Sequence, residues 1–180
     1  MLMNTFRCQH RCSDPRPRVG GFTLIELLVV IAVMAVCMTL AAPSFSKMIS
    51  NYRVRSGAEG ILNGLNMARA EAIRRNAPVT FKLAADAGWS VYPTAASASV
   101  IQSRAAGDSE GVTAASSNSS LQVNFLPTGL VDATGTQLTQ ITVASSNVTT
   151  ADSRKINIFG GGLIRMCDPN VSITDDPRKC

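Results

Sequence analysis

The sequence predicts an α+β fold in which one long N-terminal helix, transmembrane in its first half, packs on an antiparallel β-sheet head domain. Three observations lead to this prediction. Residues 22–42 form an almost uninterrupted apolar run, residues 43–78 repeat apolar side chains every three or four positions, and residues 79–180 contain short alternating segments. These are the periodicities of a membrane span, an amphipathic helix and half-buried strands. A short arginine-rich leader, residues 1–21, precedes the apolar run.

The apolar run is long enough to cross a membrane once. Its 21 residues, Phe22 to Ala42, would extend about 31 Å as a helix, which matches the ~30 Å hydrocarbon core of a bilayer. Glu26 is the one charged residue in the run. A carboxylate near a bilayer centre costs on the order of 3 kcal/mol. Glu26 is therefore expected either to extend its side chain to the nearby interface or to gain from an opposite charge placed beside it.

Residues 43–78 are expected to continue the helix to about Asn76, where Pro78 stops it. Glu71 and Arg75 are spaced for a favourable i, i+4 ion pair near this end. Three glycines weaken the helix by about 1 kcal/mol each, so they indicate either close approach of another element or a bend. These are Gly57, Gly60 and Gly64. The predicted apolar stripe comprises Phe45, Met48, Ile49, Tyr52, Ile61, Leu62, Leu65, Ala68, Ala72 and Ile73.

The rest of the chain predicts one antiparallel sheet. Residues Val79–Leu83 and Trp89–Tyr92 alternate around a short turn and predict a hairpin. Residues 93–120 are rich in Ala, Ser, Gly and Asn, which predicts a long loop with a weak strand near Val100 and Ile101. Further strands are expected at Leu121–Leu126, Leu138–Ala144, Arg154–Phe159 and Leu163–Met166.

The formal net charge of +5 is concentrated before the apolar run. Residues 1–21 hold four arginines against one aspartate, a net +3, so the remainder of the chain carries only +2. A charge of this size does not indicate strong binding of nucleic acid through bulk electrostatics.

The five cysteines differ in their expected surroundings. Cys8 and Cys12 lie in the leader, a segment too short to fold around a metal ion. Cys37 lies in the apolar run and is expected to serve as a small apolar residue. Cys167 and Cys180 fall in the head domain, where a disulfide between them would close a loop worth about 3 kcal/mol in an oxidising compartment.

No catalytic, metal or cofactor site is predicted. Residues Gly107–Gly111 fit the G-x-S-x-G pattern of serine hydrolases, but their flanks are loop-like and the single histidine, His10, lies in the leader. Side chains near the C-terminus carry oxygen atoms of the type that binds Ca²⁺ in proteins. The segment that contains them is nevertheless typical of a solvated, turn-rich tail. They are Asp168, Asn170, Asp175 and Asp176.

The segment Gly21-Phe22-Thr23-Leu24-Ile25-Glu26, followed by a hydrophobic helix, resembles the class III signal sequence of type IV prepilins and pseudopilins. The resemblance implies a type IV pilin-like fold. It also implies that a prepilin peptidase cuts after Gly21 and methylates the new amino terminus on Phe22. Glu26 would then neutralise the N-terminal ammonium of a neighbouring subunit during filament assembly.

The same resemblance implies where each part of the chain resides. It places the leader in the cytoplasm and the head domain in the periplasm, joined by a single crossing of the bacterial inner membrane. Arginine and lysine residues on the two sides of the span barely discriminate between orientations. The rival interpretation is an ordinary secretory signal cleaved near Thr39-Leu40-Ala41, which leaves Glu26 without a role.

A second resemblance, to the GspH/FimT family, rests on the head domain. It is carried by Phe125-Leu126-Pro127-Thr128-Gly129, Lys155-Ile156-Asn157-Ile158, Gly162 and Arg165-Met166-Cys167. Some FimT-like pilins bind DNA through a Gly-Arg-x-Arg motif, which corresponds here to Gly162-Leu163-Ile164-Arg165 and so lacks one arginine. If the disulfide folds the tail back, Arg165, Arg178 and Lys179 would form a small basic patch for phosphates.

These resemblances imply a minor pilin, a non-enzymatic subunit of a type IV filament that serves pilus biogenesis, motility or competence. Two alternatives stay open: an H-type pseudopilin of the type II secretion system, and a DNA-binding minor pilin for DNA uptake. The expected partners are other pilins or pseudopilins, the prepilin peptidase and the inner membrane, with DNA a weaker candidate. No cofactor is expected.

Overall fold

The structure, a computed structural model, describes residues 21–173 and 175–180. Of the expected leader, all but Gly21 lies outside the described residues, including Cys8 and Cys12.

Helix α1 runs from Leu24 to Arg75 and is 52 residues long. It ends close to the predicted position because Asn76 adopts a left-handed conformation, with a φ of 48°. The Asn76 N–H donates to the carbonyl of Ile73 and the Ala77 N–H to the carbonyl of Ala72, both at 3.3 Å. This pair of bonds is the Schellman arrangement, which satisfies carbonyls that the last turn leaves free.

The last turn of α1 contains the predicted ion pair and a second one. The Arg75 Nε atom lies 2.6 Å from a carboxylate oxygen of Glu71, and the Arg74 Nη2 atom lies 2.7 Å from the same oxygen. The side chains of Arg74 and Arg75 hold the pKa of Glu71 at about 2, well below its ordinary value of 4.5. The carboxylate is therefore charged at neutral pH and fixed over the end of the helix.

Within residues 21–173 and 175–180, eight strands form two four-stranded antiparallel sheets. The predicted α+β class is confirmed, and the prediction of a single sheet is wrong. The first sheet has the order β3-β2-β1-β5, with β1 at Val79–Leu83, β2 at Trp89–Pro93, β3 at Gln102–Arg104 and β5 at Gln122–Phe125. The second has the order β4-β6-β7-β8, with β4 at Val112–Ser116, β6 at Gln140–Ser145, β7 at Arg154–Ile158 and β8 at Ile164–Cys167.

Strand β4 lies in the segment that was expected to be a loop. Its sequence, Val-Thr-Ala-Ala-Ser, has one large apolar residue, and only Val112 is fully buried. Ala114, opposite Val143 of β6, is half-buried. A strand that contributes mainly alanine to the core shows almost no hydrophobic alternation, which is why the periodicity missed it. Strand β3 begins one residue after the predicted weak strand at Val100 and Ile101.

The segment between β5 and β6 joins the two sheets. The Leu138 N–H donates to the Gln122 carbonyl at the edge of the first sheet, and the Ile158 N–H of the second sheet donates to the Thr139 carbonyl, both at 2.8 Å. Consecutive residues thus bond to different sheets. Both sheets and α1 share one core, in which the largest fully buried side chains include Phe81, Phe125, Ile61, Leu65, Leu138 and Ile141.

The helix enters this core later than its apolar stripe suggests. The buried positions of α1 follow each other at intervals of three and four: Val54, Ala58, Ile61, Leu65, Ala68 and Ala72. The large side chains of the earlier stripe are exposed, namely Phe45, Met48, Ile49 and Tyr52, and so is Ile73 at the end. Four of the six buried positions, namely Ile61, Leu65, Ala68 and Ala72, belong to the predicted stripe, whereas Val54 and Ala58 were missed.

The three helix glycines allow other elements to approach closely, which was one of the two expectations for them. A Cβ atom on Gly57 would lie 3.1 Å from Val112, and one on Gly64 would lie 2.8 Å from the Trp89 ring. At Gly60 the guanidinium of Arg104 occupies the place that a side chain would take. No residue with a side chain would fit at Gly60 or Gly64 without movement of its neighbours.

Candidate functional site

The predicted processing and assembly motif forms the start of helix α1. Gly21 and Phe22 precede the helix, and the Oγ1 atom of Thr23 accepts a hydrogen bond of 3.2 Å from the backbone N–H of Glu26. Thr23 is therefore the N-cap, and Glu26 stands three residues later, the spacing of a capping box. The role of Thr23 was missed in the sequence, although the S/T-x-x-E signature was present.

Glu26 lies in the first turn of α1, where four backbone N–H groups lack helical partners. A negative charge is favoured there by the helix dipole. The position of Glu26 thus supports two roles that do not exclude each other: it favours the start of the helix, and its carboxylate is available to a positive charge outside this chain.

The apolar part of α1 is exposed on every side. All of the large apolar side chains from Leu24 to Leu40 are between 53 % and 82 % exposed, and the most apolar 18-residue window has a mean hydropathy of 2.7. A helix that is apolar all round is stable only in a membrane or inside a bundle of other helices. Within the described residues, this segment has the length and composition of a membrane span.

In the head, Cys167 and Cys180 are joined by a disulfide, with their Cα atoms 5.0 Å apart. The tail also pairs with β8 through its backbone, since the Asp168 N–H donates to the Arg178 carbonyl at 2.7 Å. The Arg165 side chain donates to the carbonyl of Pro177. The C-terminal segment is thus held against β8 by one covalent bond and two hydrogen bonds.

The three cations considered for a phosphate-binding patch lie in or beside this C-terminal segment, but they differ in exposure and in bonding partners. Arg165 is exposed and bonded to the tail backbone, whereas Lys179 is half-buried. Arg178 forms an ion pair of 2.7 Å with Asp176, and its side-chain and backbone hydrogen bonds lower the pKa of Asp176 to about 2. The charge of Arg178 is therefore balanced by its neighbour.

Sequence reasoning missed the pair between Arg154 and Asp168. The two side chains form a salt bridge that ties the start of β7 to the end of β8, and each is largely buried. Asp168 and Asp176, which were considered as oxygen ligands, each bind an arginine instead. The spacing of Arg154 and Asp168 in the sequence carries no signal, because only the pairing of β7 with β8 brings them together.

The G-x-S-x-G segment does not form the turn that a hydrolase needs. A nucleophile elbow lies between a strand and a helix. Here Ala106–Ser109 form a short 3₁₀ helix, and the next element is strand β4. Ser109 itself is buried.

Comparison with known proteins agrees with this architecture. The profile of the family described as Type II transport protein GspH matches residues 57–162, and the profile described as Prokaryotic N-terminal methylation motif matches residues 16–42. Together they cover the start of α1 and the head as far as residue 162, and they leave out β8 and the C-terminal segment.

One curated relative matches the N-terminal part. Prepilin peptidase-dependent protein A of Clostridium perfringens (strain 13 / Type A) is 49 % identical over 39 residues, which are 22 % of this chain and 28 % of that protein. The match thus covers less than a third of the relative's length.

Two solved structures share the fold. Both are crystal structures of the type IV minor pilin FimU of Pseudomonas aeruginosa (strain PAO1). One has a TM-score of 0.54 at 17 % identity and covers 67 % of this chain and 92 % of FimU; the other has a TM-score of 0.52 at 19 % identity and covers 67 % and 97 %. Because the GspH profile spans more than half of the residues, this chain belongs to the GspH family, and its fold is that of a type IV minor pilin.

Proposed function

We propose that this chain acts as a minor pilin, a non-catalytic subunit of a type IV filament. One observation carries the proposal: a capped helix that begins directly after Gly21 and Phe22 exposes apolar side chains on all of its faces, while the head of the same chain has a complete core of its own. Such a helix needs a partner outside the chain. A membrane supplies that partner before assembly, and neighbouring helices supply it in a filament.

Processing is the first step of the proposed function. A prepilin peptidase cuts after Gly21 and methylates Phe22, which removes the net +3 of the leader and creates a new ammonium group. The similarity to prepilin peptidase-dependent protein A of Clostridium perfringens supports this step. The mature chain then stays anchored in the inner membrane by a single span, with its head in the periplasm.

Assembly is the second step. Glu26 follows the new amino terminus by four residues, or about 6 Å along a helix. In an apolar setting, a carboxylate gains most from an opposite charge placed beside it. We therefore assign Glu26 the pairing with the terminal ammonium of a neighbouring subunit, and the exposed apolar side chains the packing between helices.

The substitution Glu26→Gln tests the assembly step. Glutamine keeps the capping-box chemistry at this position, so it removes the charge without removing the helix start. We expect normal amounts of the variant in the membrane fraction and a reduced amount in sheared filaments, measured by immunoblotting. Glu59→Gln, on the same helix but in the head, is the matched control and is expected to assemble normally.

Equal incorporation of Glu26→Gln and wild type would refute the pairing role. Loss of the variant from the membrane fraction would show instead that the carboxylate acts during insertion. Mass spectrometry of the mature chain checks processing independently: we expect an N-terminal peptide that starts at methylated Phe22.

An H-type pseudopilin of type II secretion is the second candidate, because the matching family profile is described as Type II transport protein GspH. The two machines are separated by a deletion strain in which surface pili and the release of extracellular enzymes are scored together. Loss of pili with normal secretion supports the type IV pilus, and loss of secretion with normal pili supports the pseudopilin.

DNA binding has weaker support. Arg178, one of the three cations of the predicted patch, is paired with Asp176. Arg165 is therefore the exposed arginine of the patch that has no carboxylate partner within the described residues. Binding of duplex DNA by the full chain that persists at moderate salt and disappears in Arg165→Ala would support this role. Absence of binding at low salt would remove it.

A further inference from the structure

A cleft in the head lies between helix α1 and the segment that joins β3 to β4. The helix side is formed by Tyr52, Arg53 and Ser56, and the opposite side by Arg104 and residues 107–110. All of these residues belong to one compact unit. No role in processing, membrane anchoring or helix packing uses this cleft.

The helix glycines determine how the cleft is built. Arg53, Ser56, Gly57 and Gly60 follow one another at helical spacing, so they face the same way. At Gly57 the start of β4 approaches, with Val112 3.1 Å from the place of a Cβ atom, and at Gly60 the Arg104 guanidinium lies on the helix. Arg104 also donates a hydrogen bond of 3.3 Å to the Asp108 carbonyl. The Arg104 guanidinium is thus fixed in position at the base of the helix face.

Arg53 and Arg104 are, with Arg69 and Arg165, the arginines of the described residues that form no salt bridge. In the part of the chain that the structure describes, Arg55, Arg74, Arg75, Arg154 and Arg178 each form a salt bridge. Neither Arg53 nor Arg104 does so within those same residues. Two guanidinium groups that line one cleft therefore keep donors available for an external acceptor.

The hydroxyl group of Ser109 is the second, independent sign of a ligand. Ser109 is only 7 % exposed and lines the cleft, and its Oγ atom has no hydrogen-bond partner among the described residues. A buried hydroxyl without a partner costs about 1–3 kcal/mol. A rotation of this side chain towards the cleft would let the hydroxyl donate to a bound acceptor and would remove that cost.

We propose that this cleft binds a small oxyanion, a phosphate or carboxylate group, held by Arg53, Arg104 and the Ser109 hydroxyl. The planar guanidinium fork matches the geometry of either group. The group could belong to a free anion or to an acidic side chain of another protein, and the two sources share this chemistry.

Two carboxylates also line the cleft, and they set a limit on the affinity. Asp108 and Glu110 are exposed, and neither forms a salt bridge in the described part of the chain. Their charges repel a bound anion, so the proposal requires that Asp108→Asn strengthens binding. A cleft suited to a cation would show the opposite change.

The test uses the ¹⁵N-labelled full chain in a nonionic detergent, titrated with sodium phosphate at constant ionic strength. We expect saturable shifts of the Ser109 and Glu110 amide signals. A parallel titration with sodium acetate distinguishes the sources: saturation at similar concentrations by both anions indicates a site that accepts an acidic side chain, and saturation by phosphate alone indicates a phosphate site.

Three arginine variants make the test specific. Loss of one charge-assisted hydrogen bond weakens binding about tenfold, so Arg53→Gln and Arg104→Gln should each raise the half-saturation concentration by about that factor. Arg53 is exposed, so its variant remains informative even if Arg104→Gln does not fold. Arg74→Gln, which removes an exposed arginine at the other end of the helix, is the matched control and should bind as wild type does.

Ser109→Ala separates a binding role from a structural one. The variant should bind phosphate less tightly, while the melting temperature of the free protein should stay the same or rise, because an unpartnered hydroxyl has been removed. Absence of a saturable shift in the wild type, or equal half-saturation in wild type and both Arg53→Gln and Arg104→Gln, would overturn the proposal.

Discussion

Two stretches of the same helix meet opposite conditions. From Leu24 to Leu40 every large apolar side chain is exposed, whereas from Val54 to Ala72 the inward positions are completely buried by the protein's own sheets. The backbone conformation is the same in both. The apolar surface of the first stretch can be buried only by other molecules. The apolar surface of the second stretch is buried by the sheets of the same chain.

The two stretches also differ in the residues that make contact. The first carries Leu, Ile and Val on all faces, which suits lipid or neighbouring helices equally well. The second has glycine where other elements approach: Gly57 faces β4, and Gly64 faces Phe81 and Trp89. Ala58 is completely buried beside Gly57. Changes in the head should therefore alter its stability without affecting membrane insertion, and changes in the first stretch should do the reverse.

The largest effect on the head is expected from Gly162→Ala. A Cβ atom at this position would clash with the carbonyl oxygen of Gly129, and the residue has a φ of +76°. We expect a loss of more than about 3 kcal/mol in the free energy of unfolding, measured by denaturant titration of the full chain in detergent. Gly135→Ala separates strain from the clash, because Gly135 has a φ of +69° but open space around it, and should cost only about 1 kcal/mol. Equal losses in the two variants would contradict the role of the contact.

The reverse case is Val33→Asp in the apolar stretch. A second carboxylate in the span costs about 3 kcal/mol in the bilayer, so less of the chain should reach the membrane fraction. The melting temperature of the head should not change, because Val33 has no part in its core. A lower melting temperature of the head would show that the two stretches are coupled.

Loss of the disulfide is expected to have an effect close to this size. Cys180→Ser opens a loop between residues separated by 13 positions and should lower the free energy of unfolding by about 3 kcal/mol. Cys37→Ser, which changes the free cysteine in the apolar stretch, is the control and should leave the head unchanged. A reducing agent should lower the melting temperature of wild type and Cys37→Ser, but not that of Cys180→Ser.

The smallest effect concerns pH. The pKa of Glu71 is lowered from 4.5 to about 2 by its arginine partners, so the pairs contribute stability above pH 4.5 that is lost as the pH falls towards 2. The loss should be small because both arginines lie at the surface. Glu71→Gln should flatten the acid limb of a plot of melting temperature against pH.

Asp176 has a pKa of about 2 as well, so Asp176→Asn should flatten the same limb independently.

The sequence predicted the elements whose pattern is strong. The helix over the apolar run, the hairpin of β1 and β2, and the end of α1 near Pro78 follow from length, alternation and a helix stop, and the structure agrees with them. That the apolar run crosses a membrane stays a prediction. Strand β4 could not be predicted because alanine gives no alternation. The division into two sheets was also hidden, since local patterns define strands but do not state which of them pair.

The candidate sites were predictable to different degrees. Gly21, Phe22 and Glu26 were found through a continuous motif, and their roles stay predictions. The cleft with Arg53, Arg104 and Ser109 was not found, because its members come from separate elements. The nearest signal was the glycine at position 60, which was noted as a point of close approach but gave no hint of an arginine side chain.

The alternation of the chain between the two sheets has a consequence for the order of folding. Strand β4 belongs to the second sheet, whereas the next strand, β5, pairs with β1 and completes the first sheet. The second sheet is complete only when β6, β7 and β8 have been added. A chain that is synthesised N-terminus first therefore cannot complete the first sheet before β5, or the second sheet before β8, is available. Such non-local pairing is slow, and it leaves the edges of β1 and β4 open in the interval. The head should accordingly fold slowly and stay prone to aggregation until β8 and the Cys167–Cys180 bond complete it.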